Sequence, residues 1–244
     1  MLSGEIGLSF TGRTKMNYKN KEIKLSQNSK AWGHWRKSGV GASESSILLG
    51  SLPFDYNDCL NLWKIKTGLK EDDFVTNEYI EFGKRTEAEA REKYTEATGI
   101  SVVPRCYELQ KFPYIRASLD GITKDKKHIV EIKVPSNAGL QKAKKGIILD
   151  YYVTQIFQQM LVSGAETAHY WVYRPEFGGV LMEINRNEEY IDEILRRLAI
   201  FWNCVEKKIP CLPKLLNIDM NNPNGVDPFK VGNMEGKLIN VFKN

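Results

Sequence analysis

The chain has 244 residues, 42% of them hydrophobic and 27% charged, which fits one large globular domain and excludes global disorder. No apolar run approaches the roughly 18 to 20 residues that span a bilayer, so a membrane-embedded class is excluded and no membrane partner is expected. The start of the chain lacks the pattern of a secretory signal, and the four scattered cysteines show no metal-ligand spacing, so we expect a cytoplasmic protein with reduced thiols.

Positive charge is concentrated at the start of the chain. Residues 1–37 contain eight Lys and Arg residues against two Glu residues, a net charge of +6, whereas the whole chain carries +5. We therefore predict a basic arm over residues 1–30. Such an arm suits a polyanionic partner, although a solvated terminus has the same composition.

Apolar periodicity and turn residues predict a mixed order of helices and strands. Helices are predicted at 42–50, 55–67, 77–98, 150–164 and 187–208, and strands at 101–109, 114–122, 128–134, 168–174 and 180–184, the first three of them antiparallel. A Lys-rich connection, LQKAKKG, precedes the fourth helix, and Pro, Asn and Gly residues after position 210 predict a loop. With no repeat and no clear interdomain linker, this order predicts one mixed α/β domain over residues 31–210 and an extension at 211–244.

The helix predicted at 150–164 has two different sides. Asp150 is its expected N-terminal cap and Gly164 its expected end. The buried side is predicted to contain Val153, Ile156, Phe157, Met160 and Leu161, and the opposite, polar side Tyr151, Gln155, Gln158 and Gln159.

Two carboxylates and a lysine lie on neighbouring predicted strands. Alternate side chains of a strand face the same way, so Glu131 and Lys133 share one face, and Asp120 can reach them across the 121–128 hairpin. Carboxylate oxygens are the ligands that Mg²⁺ or Mn²⁺ prefers, and an adjacent ammonium can orient water and stabilise charge on a phosphate. The pattern indicates phosphodiester hydrolysis, although an exposed strand with ordinary alternating charge has the same residues.

Five collinear motifs resemble the PD-(D/E)xK nucleases, and within them the lambda exonuclease and YqaJ-type viral recombinase family. They are WRKSGVGAS (35–43), FGKRTEAEARE (82–92), ASLDGI (117–122), EIKVP (131–135) and YYVTQIFQQMLVSGAE (151–166). The resemblance covers residues 32–175 and implies a restriction-endonuclease-like core, with a central mixed sheet flanked by helices. Leu119 stands where the family has proline, a change that removes a rigid φ but no functional group.

The resemblance assigns roles to side chains in each motif. It implies metal ligation by Asp120, Glu131, the carbonyl of Ile132 and, through water, Glu87; a catalytic Lys133 with Gln155 nearby; and binding of a terminal 5′-phosphate by Arg36, Ser43 and Ser118. Mg²⁺ is the implied cofactor, and Mn²⁺ is expected to substitute for it.

Arg36 and Gln155 also have plainer interpretations. Arg36 could be a surface charge beside Trp32 and Trp35, but the seven-residue interval to Ser43 favours the phosphate pocket. Gln155 could be one more solvated position on the polar side of its helix, and only the motif favours the active site.

The sequence leaves the roles of several other residues undecided. Lys142, Lys144 and Lys145 are expected to be exposed and to contact either phosphate or water. The strand-separating residues of the family have no clear signature in this sequence, and Phe54 and Trp63 are weak candidates for that role.

The resemblance implies a metal-dependent exonuclease that degrades one strand of linear double-stranded DNA from its 5′ end and leaves 3′ single strands for viral recombination. DNA ends are then the substrate, a single-strand annealing protein of the RecT/Beta type is the implied partner, a homotrimer is the implied assembly, and the host cytoplasm is the implied location. A PD-(D/E)xK endonuclease or RecB-like nuclease in DNA repair would share the carboxylates and lysine but would not need the end-phosphate pocket. A non-catalytic DNA-end-binding recombination scaffold is the alternative from another class, and the complete set of Glu87, Asp120, Glu131 and Lys133 argues against it.

Overall fold

The structure is a computed structural model that describes residues 18–50, 58–71, 78–216 and 237–242. Its elements in chain order are β1 (Asn20–Ile23), α1 (Lys30–Lys37), α2 (Ala42–Leu49), α3 (Asp58–Lys66), α4 (Glu78–Thr98), β2 (Val103–Leu109), β3 (Arg116–Ile122), β4 (His128–Lys133), α5 (Asn137–Lys144), α6 (Asp150–Ser163), β5 (Thr167–Arg174), β6 (Gly178–Asn185), α7 (Glu188–Glu206), a short 3-10 helix (Pro213–Leu216) and β7 (Lys237–Phe242). None of the helices in these ranges is both long enough and apolar enough to cross a bilayer.

The seven described strands form one sheet whose spatial order, β1 to β7, is also the order of the chain. β4 lies at the centre, with three strands on each side. Neighbouring strands are antiparallel except β4 and β5, which are parallel from His128 opposite Thr167 to Lys133 opposite Val172. A parallel pair needs a crossover connection, and α5 and α6 supply it. The predicted mixed α/β fold with a central mixed sheet is confirmed.

Alternation along the strands buries a different apolar cluster on each face of the sheet. In β4, Ile129 belongs to the larger cluster, which includes residues of α2, α6 and α7. Val130 and Ile132 belong to a smaller cluster with Ala90 and Tyr94 of α4. Full burial of a large apolar side chain stabilises the fold by about 1.5–3 kcal/mol, so the strands that carry the motifs are held firmly from both faces.

Most predicted elements have the expected positions and ends. α2, α4 and α6 each end immediately before the glycine expected to stop them, Gly50, Gly99 and Gly164. The prediction that Asp150 caps α6 is wrong, because Leu149 is the N-cap residue and Asp150 is the first residue of the helix. A carboxylate in the first turn still lies at the positive end of the helix dipole, so an acidic residue is favourable at either position.

Both predicted flanks contribute strands to the sheet. Within the predicted basic arm, Asn20–Ile23 pair with β2, and residues 1–17 lie outside the described residues. Within the predicted extension, Lys237–Phe242 pair with β6, and residues 217–236 lie outside them. Short strands at the two edges of a sheet have too little alternation to be recognised from sequence. The division of the chain into arm, domain and extension stays a prediction.

Two short helices are absent from the predicted order. α1 begins after Ser29, whose hydroxyl accepts a hydrogen bond from the Trp32 amide at 3.1 Å. α5 occupies most of the predicted Lys-rich connection, with Leu140 and Ala143 as its buried residues. Each helix has eight residues and at most two buried side chains, so its apolar periodicity is too weak to identify.

Trp63 belongs to the core and does not fit the strand-separating role considered for it. It is 5% exposed, and its Nε1 donates a hydrogen bond to the carbonyl of Cys204 at 3.2 Å. A residue that separates DNA strands must reach the surface, so that hypothesis is wrong for Trp63, and Phe54 lies outside the described residues. The four cysteines are free and buried.

Candidate active site

Asp120, Glu131 and Lys133 meet where β3 pairs with β4. The antiparallel register of the two strands brings Asp120 beside Glu131, and Asp120 Oδ2 accepts a hydrogen bond from the Ile132 amide at 2.8 Å. Lys133 Nζ contacts Glu131 Oε1 on the same face of β4. The structure therefore brings together the three side chains on which the hydrolytic interpretation rests.

Gly121 allows this close pairing of the two strands. A Cβ atom at this position would lie 2.6 Å from Val130 Cγ1 and 2.7 Å from Val102 Cγ2, closer than packed side chains approach one another. A larger residue would push β3 away from β4, and Asp120 would move away from Glu131. The close approach of Val130 and Val102 thus explains why glycine follows the aspartate in the ASLDGI motif.

Burial and like charge dominate the electrostatics of the cluster. Burial raises the pKa of Asp120 well above its ordinary value, and the charges of Glu131 and Glu87 raise it further. Burial alone would lower the pKa of Lys133, but the carboxylates of Glu131 and Asp120 outweigh it and hold that pKa above its usual value. Lys133 is therefore an ammonium, and the surplus of carboxylates favours the binding of further positive charge.

Two glutamines of α6 hold the carboxylate of Glu131. Gln155 Nε2 donates to Oε1 at 2.7 Å, and Gln159 Nε2 donates to Oε2 at 2.6 Å. Glu131 is 0% exposed, so these charge-assisted hydrogen bonds replace the water that the carboxylate has lost. Both amides reach the same side chain because residues four apart lie on one side of a helix.

The prediction that Gln158 and Gln159 belong to a solvated side of α6 is wrong. Both are buried, and the Oε1 atom of each has no hydrogen-bond partner among the described residues. Gln158 Nε2 donates to the carbonyl oxygens of Val40, at 2.9 Å, and Arg116, at 3.0 Å, and so joins the segment between α1 and α2 to β3. Sequence analysis missed Gln159 as a site residue, although its spacing of four from Gln155 was an available signal.

Glu87 reaches the cluster from α4 and is paired with an arginine. Arg91, one turn further on, donates to Glu87 Oε1 at 2.5 Å and to the Asp120 carbonyl at 2.7 Å. Burial raises the pKa of Glu87, and the guanidinium of Arg91 limits that rise. Arg91, which sequence analysis also missed, therefore fastens α4 to β3 at the site.

The ammonium of Lys133 has an aromatic neighbour as well as its carboxylates. Its Nζ lies 4.7 Å from the centroid of the Tyr152 ring, a cation–π distance. The Tyr151 and Tyr152 rings are in turn 4.2 Å apart. These contacts restrict the positions that the lysine can adopt.

The three residues predicted to bind a terminal phosphate also lie near one another. Arg36 Nη2 donates to Ser43 Oγ at 3.1 Å, and the Trp32 indole donates to Ser118 Oγ at 2.7 Å. The guanidinium of Arg36 lies 4.8 Å from the centroid of the Trp32 ring. Arg36 thus has the tryptophan neighbour expected of a surface charge and the serine neighbour expected of the pocket.

Two adjoining cavities meet at the carboxylates. The smaller, of about 190 Å³, is lined by Arg36, Ser43 and Ser118 among others. The larger, of about 790 Å³, is lined by Glu131, Ile132, Lys133, Tyr151 and Tyr152 among others. Four residues line both cavities: Lys84, Glu87, Asp120 and Gln155. The predicted phosphate-binding group and the predicted hydrolytic group therefore line neighbouring cavities that have these four residues in common.

The three lysines after β4 differ in their positions. Lys142 lines the larger cavity and is exposed, as expected. Lys145 is exposed and Lys144 is half-buried, and neither is among the residues that line that cavity.

The ligands available for a cation are oxygen atoms. In the described part of the chain, no three His, Cys, Asp or Glu side chains converge as a cage that could hold a metal by themselves. Asp120 and Glu131 nevertheless supply two carboxylates, and the main chain of Ile132 lies beside them. Mg²⁺ is commonly held by one or two carboxylates together with water and substrate phosphates, so this donor set fits that ion.

A family model described as the YqaJ-like viral recombinase domain matches residues 31–166. The chain belongs to this family. The match includes all the residues predicted for the site and ends just before β5. Among curated relatives, the YqaJ protein of Bacillus subtilis strain 168 is 27% identical over 205 residues, 78% of this chain. The chain spans 59% of the length of that relative.

Solved structures share the fold of this YqaJ-like domain. The alkaline exonuclease LHK-Exo from Laribacter hongkongensis, in complex with dAMP, has a TM-score of 0.66 and 22% identity, covering 74% of this chain and 94% of that one. A phage-related exonuclease from Haemophilus somnus 129PT has a TM-score of 0.52 and 16% identity, covering 70% and 95%. At sequence identities of 22% and 16%, the structural similarity shows a shared fold. The predicted restriction-endonuclease-like core is confirmed.

Proposed function

We propose that this YqaJ-like protein is a divalent-metal-dependent exonuclease that degrades one strand of linear double-stranded DNA from its 5′ end, leaving 3′ single strands for viral recombination. One observation carries the proposal: the cavity lined by Arg36, Ser43 and Ser118 is also lined by Asp120 and Glu87, which it shares with the cavity that contains Glu131 and Lys133. A site that holds an end phosphate next to a hydrolytic group acts on the bond nearest that end. The dAMP bound to the Laribacter relative is a nucleoside 5′-monophosphate, the kind of product that such a reaction releases.

The residues of the chain would divide the work of hydrolysis. Asp120, Glu131 and the carbonyl of Ile132 would hold the metal, with Glu87 contributing through water, and the bound ion would stabilise charge on the phosphate and lower the pKa of water. Lys133 and Gln155 would orient the attacking water. Gln155 and Gln159 keep the carboxylate of Glu131 in one position, so little reorganisation is needed during the reaction.

The phosphate pocket would select the DNA end. Arg36 offers a guanidinium to a terminal phosphate, and Ser43 and Ser118 offer hydroxyl donors; all of these hydrogen bonds are charge-assisted because the phosphate is ionised. An internal phosphodiester cannot enter such a pocket in the same way, because it continues into the next nucleotide.

A single gel assay tests the proposal. Linear 5′-phosphorylated, linear 5′-hydroxyl and covalently closed circular duplexes are incubated with Mg²⁺, and fragments and remaining strands are resolved over time. We expect loss of one strand of the linear duplexes, fastest with the 5′-phosphate, and no cleavage of the circle. Cleavage of the circle would favour the endonuclease alternative, and binding without cleavage would favour the non-catalytic scaffold.

The assembly is proposed on the family resemblance. A homotrimer that threads DNA, with a RecT/Beta-type annealing protein that receives the 3′ strand, would suit this activity. Light scattering of the purified protein measures its mass, and a monomer at working concentration would contradict the trimer.

A further inference from the structure

Lys84 lies where the two cavities meet, and no motif assignment uses it. The other three residues that line both cavities, Glu87, Asp120 and Gln155, already have a predicted part in hydrolysis. Lys84 is the cation of the four. Resting on the proposed function, we propose that Lys84 binds the phosphodiester that joins the first and second nucleotides of the strand being degraded.

The position of Lys84 follows from the helix that carries it. Lys84 and Glu87 are three residues apart on α4, so their side chains lie on the same side of the helix, and Arg91 continues that side by one turn. Arg91 fastens this part of α4 to β3 through the Asp120 carbonyl. The backbone of Lys84 is thereby held close to the carboxylates, while its own side chain is exposed.

The side chain of Lys84 is accessible to an anion that approaches from solvent. Its ion pair with Glu81 is 4.0 Å long and solvent-exposed on both sides. Exposed pairs of this kind contribute little to stability. Lys133 is less exposed, because it contacts Glu131 and the ring of Tyr152.

The distribution of positive charge along the two cavities points to the same role. Arg36 and Arg116 line only the smaller cavity, and Lys133 and Lys142 line only the larger one. A strand whose 5′-phosphate occupies the smaller cavity must pass its next phosphate through the junction. At that junction Lys84 is the cationic side chain that lines both cavities, beside the carboxylates of Glu87 and Asp120 that would contribute to holding the metal.

The test uses Lys84→Ala and Lys84→Arg, with Arg85→Ala as the matched control. Arg85 is the next residue of α4, is exposed, and is not among the residues that line either cavity. We expect Lys84→Ala to lower turnover of a 5′-phosphorylated duplex about 10- to 100-fold and Lys84→Arg to retain most of it. Arg85→Ala should stay within about 2-fold of wild type.

A binding cycle separates a phosphate contact from a structural role. Dissociation constants are measured in EDTA for a natural 5′-phosphorylated duplex and for one whose first internucleotide linkage is an uncharged methylphosphonate. Lys84→Ala should weaken binding of the natural duplex about 10-fold more than binding of the methylphosphonate duplex, because only the natural linkage carries the charge that Lys84 contacts. Equal weakening of both duplexes, or a similar loss of turnover in Arg85→Ala, would overturn the proposal.

Failure of the proposed function has a different signature. If the wild type degrades no linear duplex with Mg²⁺ or Mn²⁺, the exonuclease proposal fails, and the role of Lys84 fails with it. If the wild type is active but Lys84→Ala weakens binding of the natural and the methylphosphonate duplex equally, the role of Lys84 alone is overturned.

Discussion

Replacing Gln159 with methionine removes one of the two amide donors to Glu131 while keeping a side chain of similar length. The lost hydrogen bond, 2.6 Å long, is made to a buried carboxylate, a class that contributes about 1.5–3 kcal/mol. The same change removes the Gln159 Oε1 atom, which has no partner among the described residues and whose burial costs about 1–3 kcal/mol. The two effects have opposite sign, so we expect the free energy of unfolding to change by no more than about 2 kcal/mol.

Activity should respond far more than stability. Residues that orient a metal ligand typically contribute about 10- to 100-fold to metal affinity or turnover. We therefore expect Gln159→Met to raise the Mg²⁺ concentration for half-maximal turnover about 10-fold or more and to lower the maximal rate. The assay is a Mg²⁺ titration of strand loss from a 5′-phosphorylated duplex, with thermal unfolding followed by circular dichroism.

Gln158→Met is the matched control for this prediction. Gln158 is equally buried and has the same unpartnered Oε1, but its amide donates to the carbonyls of Val40 and Arg116. Its substitution should change the melting temperature without shifting the Mg²⁺ requirement. If both variants shift that requirement equally, or if Gln159→Met leaves it unchanged, Gln159 does not position Glu131 for metal binding.

Further predictions concern the lysine, the phosphate pocket, the metal and pH. Lys133→Ala should abolish cleavage while leaving duplex binding and the fold nearly intact, and substantial residual turnover would contradict its role at the reacting water. Wild type should start on 5′-phosphorylated ends about 10- to 100-fold faster than on 5′-hydroxyl ends, and Arg36→Ala should lose most of that preference; equal slowing on both ends would mean a general contact. Mg²⁺ and Mn²⁺ should support turnover and Ca²⁺ should bind without supporting it, whereas activity that resists chelation would exclude a metal held by carboxylates. Burial alone would raise the pKa of Glu193, but hydrogen bonds from Arg196 and Arg197 lower it, so its stabilising effect is present at neutral pH and lost as the pH falls through that lowered pKa. As the pH is lowered from about 6 to about 3, the melting temperature of Glu193→Gln should therefore fall less than that of the wild type. Equal falls in the two melting temperatures would contradict this reasoning.

The strand-borne part of the site could be predicted because its geometry is local. Glu131 and Lys133 are two residues apart in one strand, and Asp120 is joined to them by a short hairpin, so period-two alternation and chain connectivity place all three. The helix that carries Glu87 follows from composition, whereas the family resemblance alone assigns Glu87 to the site. No information about distant parts of the chain is needed for these placements.

Gln158 and Gln159 of α6 could not be placed by the same reasoning. A helix position is predicted to be buried when its side chain is apolar, and Gln158 and Gln159 fail that criterion. They are buried because distant groups need donors: Gln159 serves a carboxylate 28 residues away in the chain, and Gln158 a carbonyl 118 residues away. β1 and β7 were missed for a related reason, since their pairing partners are far from them in sequence.

The parallel pairing of β4 with β5 determines when the site is completed during synthesis. β2, β3 and β4 follow one another through short connections and can pair as soon as they leave the ribosome. At that stage Asp120, Glu131 and Lys133 are present, but α6 and its two amide donors have not been made. A carboxylate buried without donors is strongly unfavourable, so we expect the cleft to close only after the crossover through α6 has emerged and β5 has docked. We therefore expect the candidate site to be complete only once the chain has been synthesised through β5.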